Sequence, residues 1–301
     1  MVRSIDDHRQ EYGVEPICRV LPIAPSTYYA HKAREAAPET APPRVQQDET
    51  LKVEIQRVWD ENFRVYGVRK VWRQLRREGF DVARCTVARL MRDLGLRGAV
   101  RGRTTFTTIV DKDLDRAADK VNRDFTASRP NALWVSDLTY VATWSGFAYV
   151  AFVVDVFSRM IVGWRVSNSL KSDLALDALE QALYCRGLNQ NGQLIHHSDR
   201  GVQYLSIRYT DRLREAGIEP SVGSVGDSYD NALAETINGL YKTELIRPGG
   251  PWRTVDDVEI ATLEWVDWFN NRRIMESIDN VPPVEFEVAY YEQLEGQAKA
   301  A

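Results

Sequence analysis

Three acidic residues set the chemistry open to this chain. Asp137 lies inside the apolar run LWVSDLTYVAT, between Trp134, Val135, Leu138 and Tyr140, where an unpaired ionised carboxylate is costly to bury. Asp199 ends the run Leu194-Ile195-His196-His197-Ser198, just before Arg200-Gly201. Glu235 falls early in a helical stretch from Asn231 to Ile246, with Asp230 as its expected N-cap. Acids converging from two strands and a helix form a nest of like charge that divalent cations would neutralise. All-oxygen ligation selects hard ions, magnesium or manganese, over zinc. Two such ions about 3.5 to 4 Å apart would serve phosphoryl transfer at a phosphodiester. Each acid also has a plainer reading: Asp137 as a buried hydrogen-bonding group, Asp199 as a turn former before Gly201, and Glu235 as a solvated helix position.

The neighbouring candidates read as structural. Asp155 closes a second apolar run and suits a hydrogen bond to the Phe157-Ser158-Arg159 turn better than a metal. His196 and His197 are adjacent in a strand and point to opposite faces, and neither has another histidine or cysteine at ligand spacing. Trp265, Trp268 and Phe269 follow Ala261 at helical spacing, a packing stripe.

The elements that must position the acids follow from periodicity. LWVSDLTYVAT, FAYVAFVVDVF and MIVGWRV are consecutive β-type runs joined by short connections, which implies an antiparallel meander. SDLALDALEQALYCRG reads as a helix begun by Ser172 or Asp173 and ended by Gly187. QLIHHSD then reads as a strand, YLSIRYTDRLREAG as a helix closed by Gly217, and IEPSVGSV as a short last strand. The expected class is therefore α/β, with a mixed five-stranded sheet and flanking helices.

Upstream, helices are expected over Leu51–Asp60, Val68–Arg77 and Ala83–Leu94, the last two joined by Glu78-Gly79-Phe80-Asp81-Val82 in the manner of a helix-turn-helix. The net charge of -4 hides strong segregation: from Arg64 to Arg103 twelve basic residues face three acidic ones. Such a block suits phosphate contacts with DNA. Arg84, Thr86, Arg89 and Arg92 are the expected groove-facing side chains of the second helix, and Arg101 and Arg103 extend the basic block. The plainer alternative is a solvated basic face on a helical hairpin. Before Pro42, ICRVLPIAPSTYYAHKAR suggests a further helix, turn and helix.

At 301 residues and 44% hydrophobic composition the chain has material for two or three domains. Three scattered cysteines without a CxxC pair argue against a disulfide framework or zinc site. The absence of a long apolar run argues against a membrane span, and a cytoplasmic, nucleoid-associated protein is expected.

Thirty-five residues separate Asp199 from Glu235, and with this spacing the chain resembles the DDE recombinases, whose catalytic core has an RNase H-like fold. More closely, YGVRKVWRQLRREG, RCTVARLMRDLGLRG, LWVSDLTYV, VDVFSRMIVGW, HHSDRGVQY, GDSYDNALAETINGLYKTELI, WVDWFNNRR and VPPVEFE resemble the second-reading-frame transposase of the insertion sequence three family, in the family's order and over essentially the whole chain. The resemblance implies Asp137, Asp199 and Glu235 as the catalytic, metal-binding triad, and Lys242 as a contact to the element's end. It implies DNA cleavage and strand transfer at the element's terminal inverted repeats into target DNA, with a circular intermediate. It also implies a homo-oligomer on DNA and a helix-turn-helix partner from the upstream frame, or a frameshift fusion with it. The corresponding division is an N-terminal helical segment (1–34), a linker (35–47), a helix-turn-helix domain (48–103), a second linker (104–126), the catalytic core (127–247) and a C-terminal helical extension (248–301). One departure stands after Asn271-Arg272-Arg273, where many relatives carry histidine and this chain has Met275. The rival functions are a hydrolytic nuclease on the same fold, and a DNA-binding regulator or catalytically silent domesticated transposase.

Overall fold

The computed structural model describes residues 1–37, 41–100, 126–187, 194–199, 203–204, 206–222 and 232–300. Three helices open the chain: α1 (Val2–Tyr12), α2 (Val14–Val20) and α3 (Pro25–Ala36). They enclose a small core of Ile5, Cys18 and Tyr28. The Tyr28 hydroxyl donates to Asp6 at 2.8 Å, tying α3 to α1. The helix-turn-helix unit comes next as α4 (Pro43–Glu61), α5 (Val68–Arg77) and α6 (Arg84–Asp93). α4 starts at Pro43, well before the expected Leu51, because proline is accepted in a first helical turn. Val71, Leu75, Val87, Leu90 and Met91 interlock the last two helices, and the Trp72 indole donates to the Val82 carbonyl at 2.8 Å to hold their turn.

The sheet comprises β1 (Leu133–Thr143), β2 (Gly146–Asp155), β3 (Ile161–Ser167), β4 (Ile195–Ser198) and β5 (Glu219–Val222) in the order β3-β2-β1-β4-β5. β1, β2 and β3 pair antiparallel, whereas β4 runs parallel to β1 and β5 parallel to β4. This is the mixed five-stranded arrangement expected of an RNase H-like core. The parallel pairs need crossovers, which α7 (Ser172–Arg186) and α8 (Ile207–Glu215) supply. α7 ends at Gly187 in the left-handed region (φ 53), as expected. Its N-cap, however, is Lys171 rather than Ser172 or Asp173, and no side chain caps it. Both expected caps sit inside the first turn, where Asp173 favours the positive end of the helix dipole.

One sheet face packs Trp134, Ala151 and Val153 against Ala178, Leu179, Tyr209 and Leu213 of α7 and α8. The other packs Val135, Phe152 and Val154 against α9 (Ala232–Tyr241) and α11 (Val255–Asn271) through Ile237, Tyr241 and Trp265. After α9 the helix widens into one π turn, Lys242–Ile246, continues as α10 (Arg247–Gly249), and α12 (Pro283–Ala300) ends the chain. Trp265, Trp268 and Phe269 are fully buried, as their spacing implied. Met275 is also buried, and its amide donates to the Val281 carbonyl at 3.2 Å.

Candidate active site

Strand pairing brings the two aspartates together. Ser136 of β1 is in register with Ser198 of β4 on a parallel neighbour, so Asp137 and Asp199 occupy the next position on each. Asp137 pairs across β2 with Phe152 and shares the face covered by α9. One Asp137 oxygen accepts the Leu138 amide at 2.8 Å and the other accepts the Asn238 side-chain amide at 2.9 Å. Asn238 lies one helical turn beyond Glu235, so this bond fixes the helix that carries the third acid against the strand that carries the first.

The field at Asp137 reports the convergence. Burial first, then the charge of Asp199 and lastly that of Glu235 together push its carboxyl up to about 8, against the lowering effect of the Leu138 and Asn238 hydrogen bonds. Asp199 is half-buried and Glu235 exposed. Among the described residues no three His, Cys, Asp or Glu side chains are arranged to hold a metal ion. The acids share a field without closing a cage, and both Asp137 oxygens are engaged by protein donors. The chemistry of the donor set still suits a hard divalent cation: three carboxylates, no sulfur or imidazole, and a mutual repulsion that positive charge would relieve.

Lys242 lies at the start of the π turn, its ammonium 5.2 Å from the centre of the Tyr140 ring. Burial lowers its pKa while the charge of Asp137 pulls the other way, so it borders the acid cluster.

The adjacent polar residues are structural. The His196 ring bonds Ser136 Oγ at 2.8 Å and the Tyr209 hydroxyl at 3.0 Å. Burial, with His197 beside it, pushes its pKa down to about 3. His197 Nδ1 lies 3.0 Å from Ser221 Oγ on β5. Asp155 accepts the amides of Asn131, Phe157 and Ser158 at 2.7, 2.8 and 3.2 Å and faces Arg186 at 3.9 Å, which accounts for its burial without a metal.

Two residues near the acids escaped the sequence reading. Asn238 reads there only as a polar helix position. Tyr204 is buried, its hydroxyl has no partner among the described residues, and burial with the charges of Tyr209, Asp199 and Asp137 raises its pKa. A tyrosine five residues after an aspartate carries no pattern that would have marked it.

The candidate DNA contacts lie on α6. Arg84 and Arg92 are exposed, eight residues apart with Ala88 between them on one stripe, and Thr86 is half-buried. Arg89 is held by both oxygens of Asp48 at 2.8 and 2.9 Å and lies 3.8 Å from Asp93. Arg101 and Arg103 lie outside the described residues.

Comparison with known proteins gives this geometry its relatives. The HTH-like domain family matches residues 46–104, and two integrase core domain families match residues 127–228 and 216–283. The transposase for insertion sequence element IS629 of Shigella sonnei is 55% identical over 301 residues, covering the whole of both chains. The protein assigned as transposase to element IS986/IS6110 of Mycobacterium tuberculosis is 58% identical over 276 residues, 91% of this chain and 98% of its own. Among solved structures, the HTLV-2 integrase catalytic core domain in complex with magnesium aligns with 54% of this chain and 99% of its own, at 18% identity and a TM-score of 0.41. With full-length identity above one half and a helix-turn-helix unit followed by an integrase core, the chain belongs to the insertion sequence three family of transposases.

Proposed function

We propose that Asp137, Asp199 and Glu235 are the catalytic carboxylates of a DNA transposase that cleaves and joins strands at the ends of its own element. The observation that supports this most is geometric: strand register sets Asp137 beside Asp199, and Asn238, one turn from Glu235, donates to Asp137 at 2.9 Å and locks helix to sheet. These carboxylates would hold magnesium or manganese, which when bound supplies charge neutralisation and Lewis-acid activation of the oxygen attacking a phosphodiester. Two ions per site are the expected number. Asn238 orients Asp137 toward the shared region, and Lys242 sits where it can meet a phosphate of the bound end.

Arg84, Thr86 and Arg92 on α6 are the proposed groove contacts, with Arg89 serving mainly to brace α6 against Asp48 on α4. The proposed domains are 1–34, 48–103, 127–247 and 248–301, with linkers 35–47, into which α3 and α4 extend, and 104–126. Joining two ends calls for at least two copies on DNA, and an upstream-frame helix-turn-helix protein, or a fusion with it, is the proposed source of end recognition. Among the described residues no helix is long and apolar enough to cross a membrane, and the bacterial cytoplasm, on the nucleoid, is the proposed location.

Strand joining of a pre-cut element end under magnesium tests the assignment. Asp137→Asn, Asp199→Asn and Glu235→Gln should each reduce joining at least a hundredfold while DNA affinity is retained. Joining at the wild-type rate in all three would leave the chain a DNA-binding regulator, and hydrolysis without joining in the wild type would make it a nuclease.

A further inference from the structure

The β1–β2 hairpin extends past the acid cluster and ends in a surface that the strand chemistry does not use. Tyr140, Trp144 and Phe147 are 46%, 69% and 50% exposed there. Tyr140 stands edge-on to Phe147 with ring centres 5.6 Å apart, and Phe147 lies 6.4 Å from Tyr149. Strand preference accounts for aromatics at positions 140 and 147, but Trp144 occupies the turn, where small and polar residues are usual. Each end of the patch carries a cation: Lys242 at 5.2 Å from the Tyr140 ring centre and the Arg253 guanidinium at 5.5 Å from that of Trp144.

The hairpin tip is braced. The Trp144 and Ser145 amides donate to the Trp252 and Arg253 carbonyls at 3.0 and 3.2 Å. Thr143 Oγ1 donates to the Gly146 carbonyl at 2.8 Å, and Gly146 takes a φ of 120° that side chains rarely adopt. Exposed aromatics on a rigid tip mark an interaction site. Cations at its two ends match an anionic partner with flat rings, because every base offers a π face and every linkage a phosphate. Tyr140 lies three residues beyond Asp137 on β1, and Lys242 lies one turn beyond Asn238, which bonds Asp137 at 2.9 Å, so the patch borders the carboxylates.

We propose that this hairpin end is a stacking platform for unpaired nucleotides at a DNA end, with bases against Tyr140, Trp144 and Phe147 and the adjoining phosphates beside Lys242 and Arg253. It rests on the reading of the carboxylates as a DNA-end active site: a duplex end placed at Asp137 has its unpaired strand within reach of the hairpin.

The test uses the full chain and two fluorescent duplexes of one sequence, one blunt and one with a short unpaired tail. Wild-type protein should bind the tailed duplex about tenfold more tightly, with quenching of Trp144 emission that Trp144→Phe removes. The combined Tyr140→Ala, Trp144→Ala and Phe147→Ala variant should lose that preference while keeping its blunt-duplex affinity and its salt dependence, since no charge is removed. Tyr140→Phe, Trp144→Phe and Phe147→Tyr together should restore it. The proposal is overturned if wild type shows no tail preference, if the alanine set retains it, or if both duplexes are weakened alike. It is equally overturned if the alanine set changes only the sedimentation mass of the free protein, which would make the patch a contact between copies of this chain. Asp137→Asn separates the two readings: it should abolish joining and keep the tail preference, whereas undiminished joining would sink the active-site assignment whatever the platform does.

Discussion

Asp137 and His196 are near neighbours on paired strands, and burial drives both toward their neutral forms, with opposite consequences for pH. The folded Asp137 carboxyl, at about 8, lies above its ordinary value of 3.8. Between those values the native state binds the extra proton, so this residue makes the metal-free protein less stable as pH rises from about 4 to about 8. Asp137→Asn should flatten that decline and raise the melting temperature at pH 8. Magnesium should then stabilise wild type more than the variant, and its removal by chelator should reverse the gain; equal shifts in both proteins would separate Asp137 from metal binding. His196 falls to about 3 from 6.5, so the unfolded chain binds the extra proton in that window. Its contribution is complete above pH 6.5 and is lost as pH falls toward 3. A His196→Gln variant should melt lower at pH 7 but show a shallower acid decline in thermal scans. Asp137 stood out in the sequence because a charge inside an apolar strand is conspicuous. Asn238 and Tyr204 did not, because their significance lies in what stands opposite them.

At the scale of elements, the helix bearing Glu235 is tied to the rest of the fold through the π turn at its C-terminal end. Glu244, in that turn beyond Lys242, forms a buried pair with Arg273 at 2.9 and 2.6 Å, and Arg273 stacks 5.3 Å from the Phe269 ring centre. Removing one member leaves a buried charge without its partner, a loss of roughly 3 to 5 kcal/mol. Glu244→Gln should therefore lower the denaturation midpoint strongly, and a change within scatter would show that the pair is dispensable. On the opposite sheet face, a Cβ on Gly163 of β3 would lie 2.1 Å from the Ala178 carbonyl and 2.9 Å from Ala182 Cβ. Gly163→Ala should destabilise by about 1 to 3 kcal/mol in urea unfolding by displacing α7. The sequence announced a helix there and a glycine in a strand. Only packing shows that one requires the other.

Over the whole molecule, residues of the α4–α5 connection dock the helix-turn-helix unit on α11 and the segment that follows it. The Trp268 indole donates to Asn62 Oδ1 at 3.0 Å, the Ile274 amide donates to the Tyr66 hydroxyl at 2.8 Å, and Phe63 packs 5.0 Å from the Trp268 ring. Arg77 donates to both carboxylate oxygens of Glu285 on α12, and Arg69 meets Glu276 at 2.6 Å. Part of the basic block is thus spent on intramolecular pairing, which reduces the charge free to meet DNA. Arg84→Gln with Arg92→Gln should make the dependence of log affinity on log salt shallower by about 2, whereas Arg69→Gln with Arg77→Gln should alter it little. Equal effects from both pairs would place phosphate contacts on the docked face as well.

The order of strands and helices, the positions of the three acids and the basic helix-turn-helix were decided by the sequence itself, because periodicity and local charge are properties of neighbouring residues. The register that sets Ser136 opposite Ser198, the Asn238 link and the seat of the helix-turn-helix on α11 were decided only by tertiary structure. Each joins residues distant along the chain, such as Asp137 and Asn238 or Asn62 and Trp268. Which of many polar side chains meet is set by strand register and helix packing, and no local pattern encodes either.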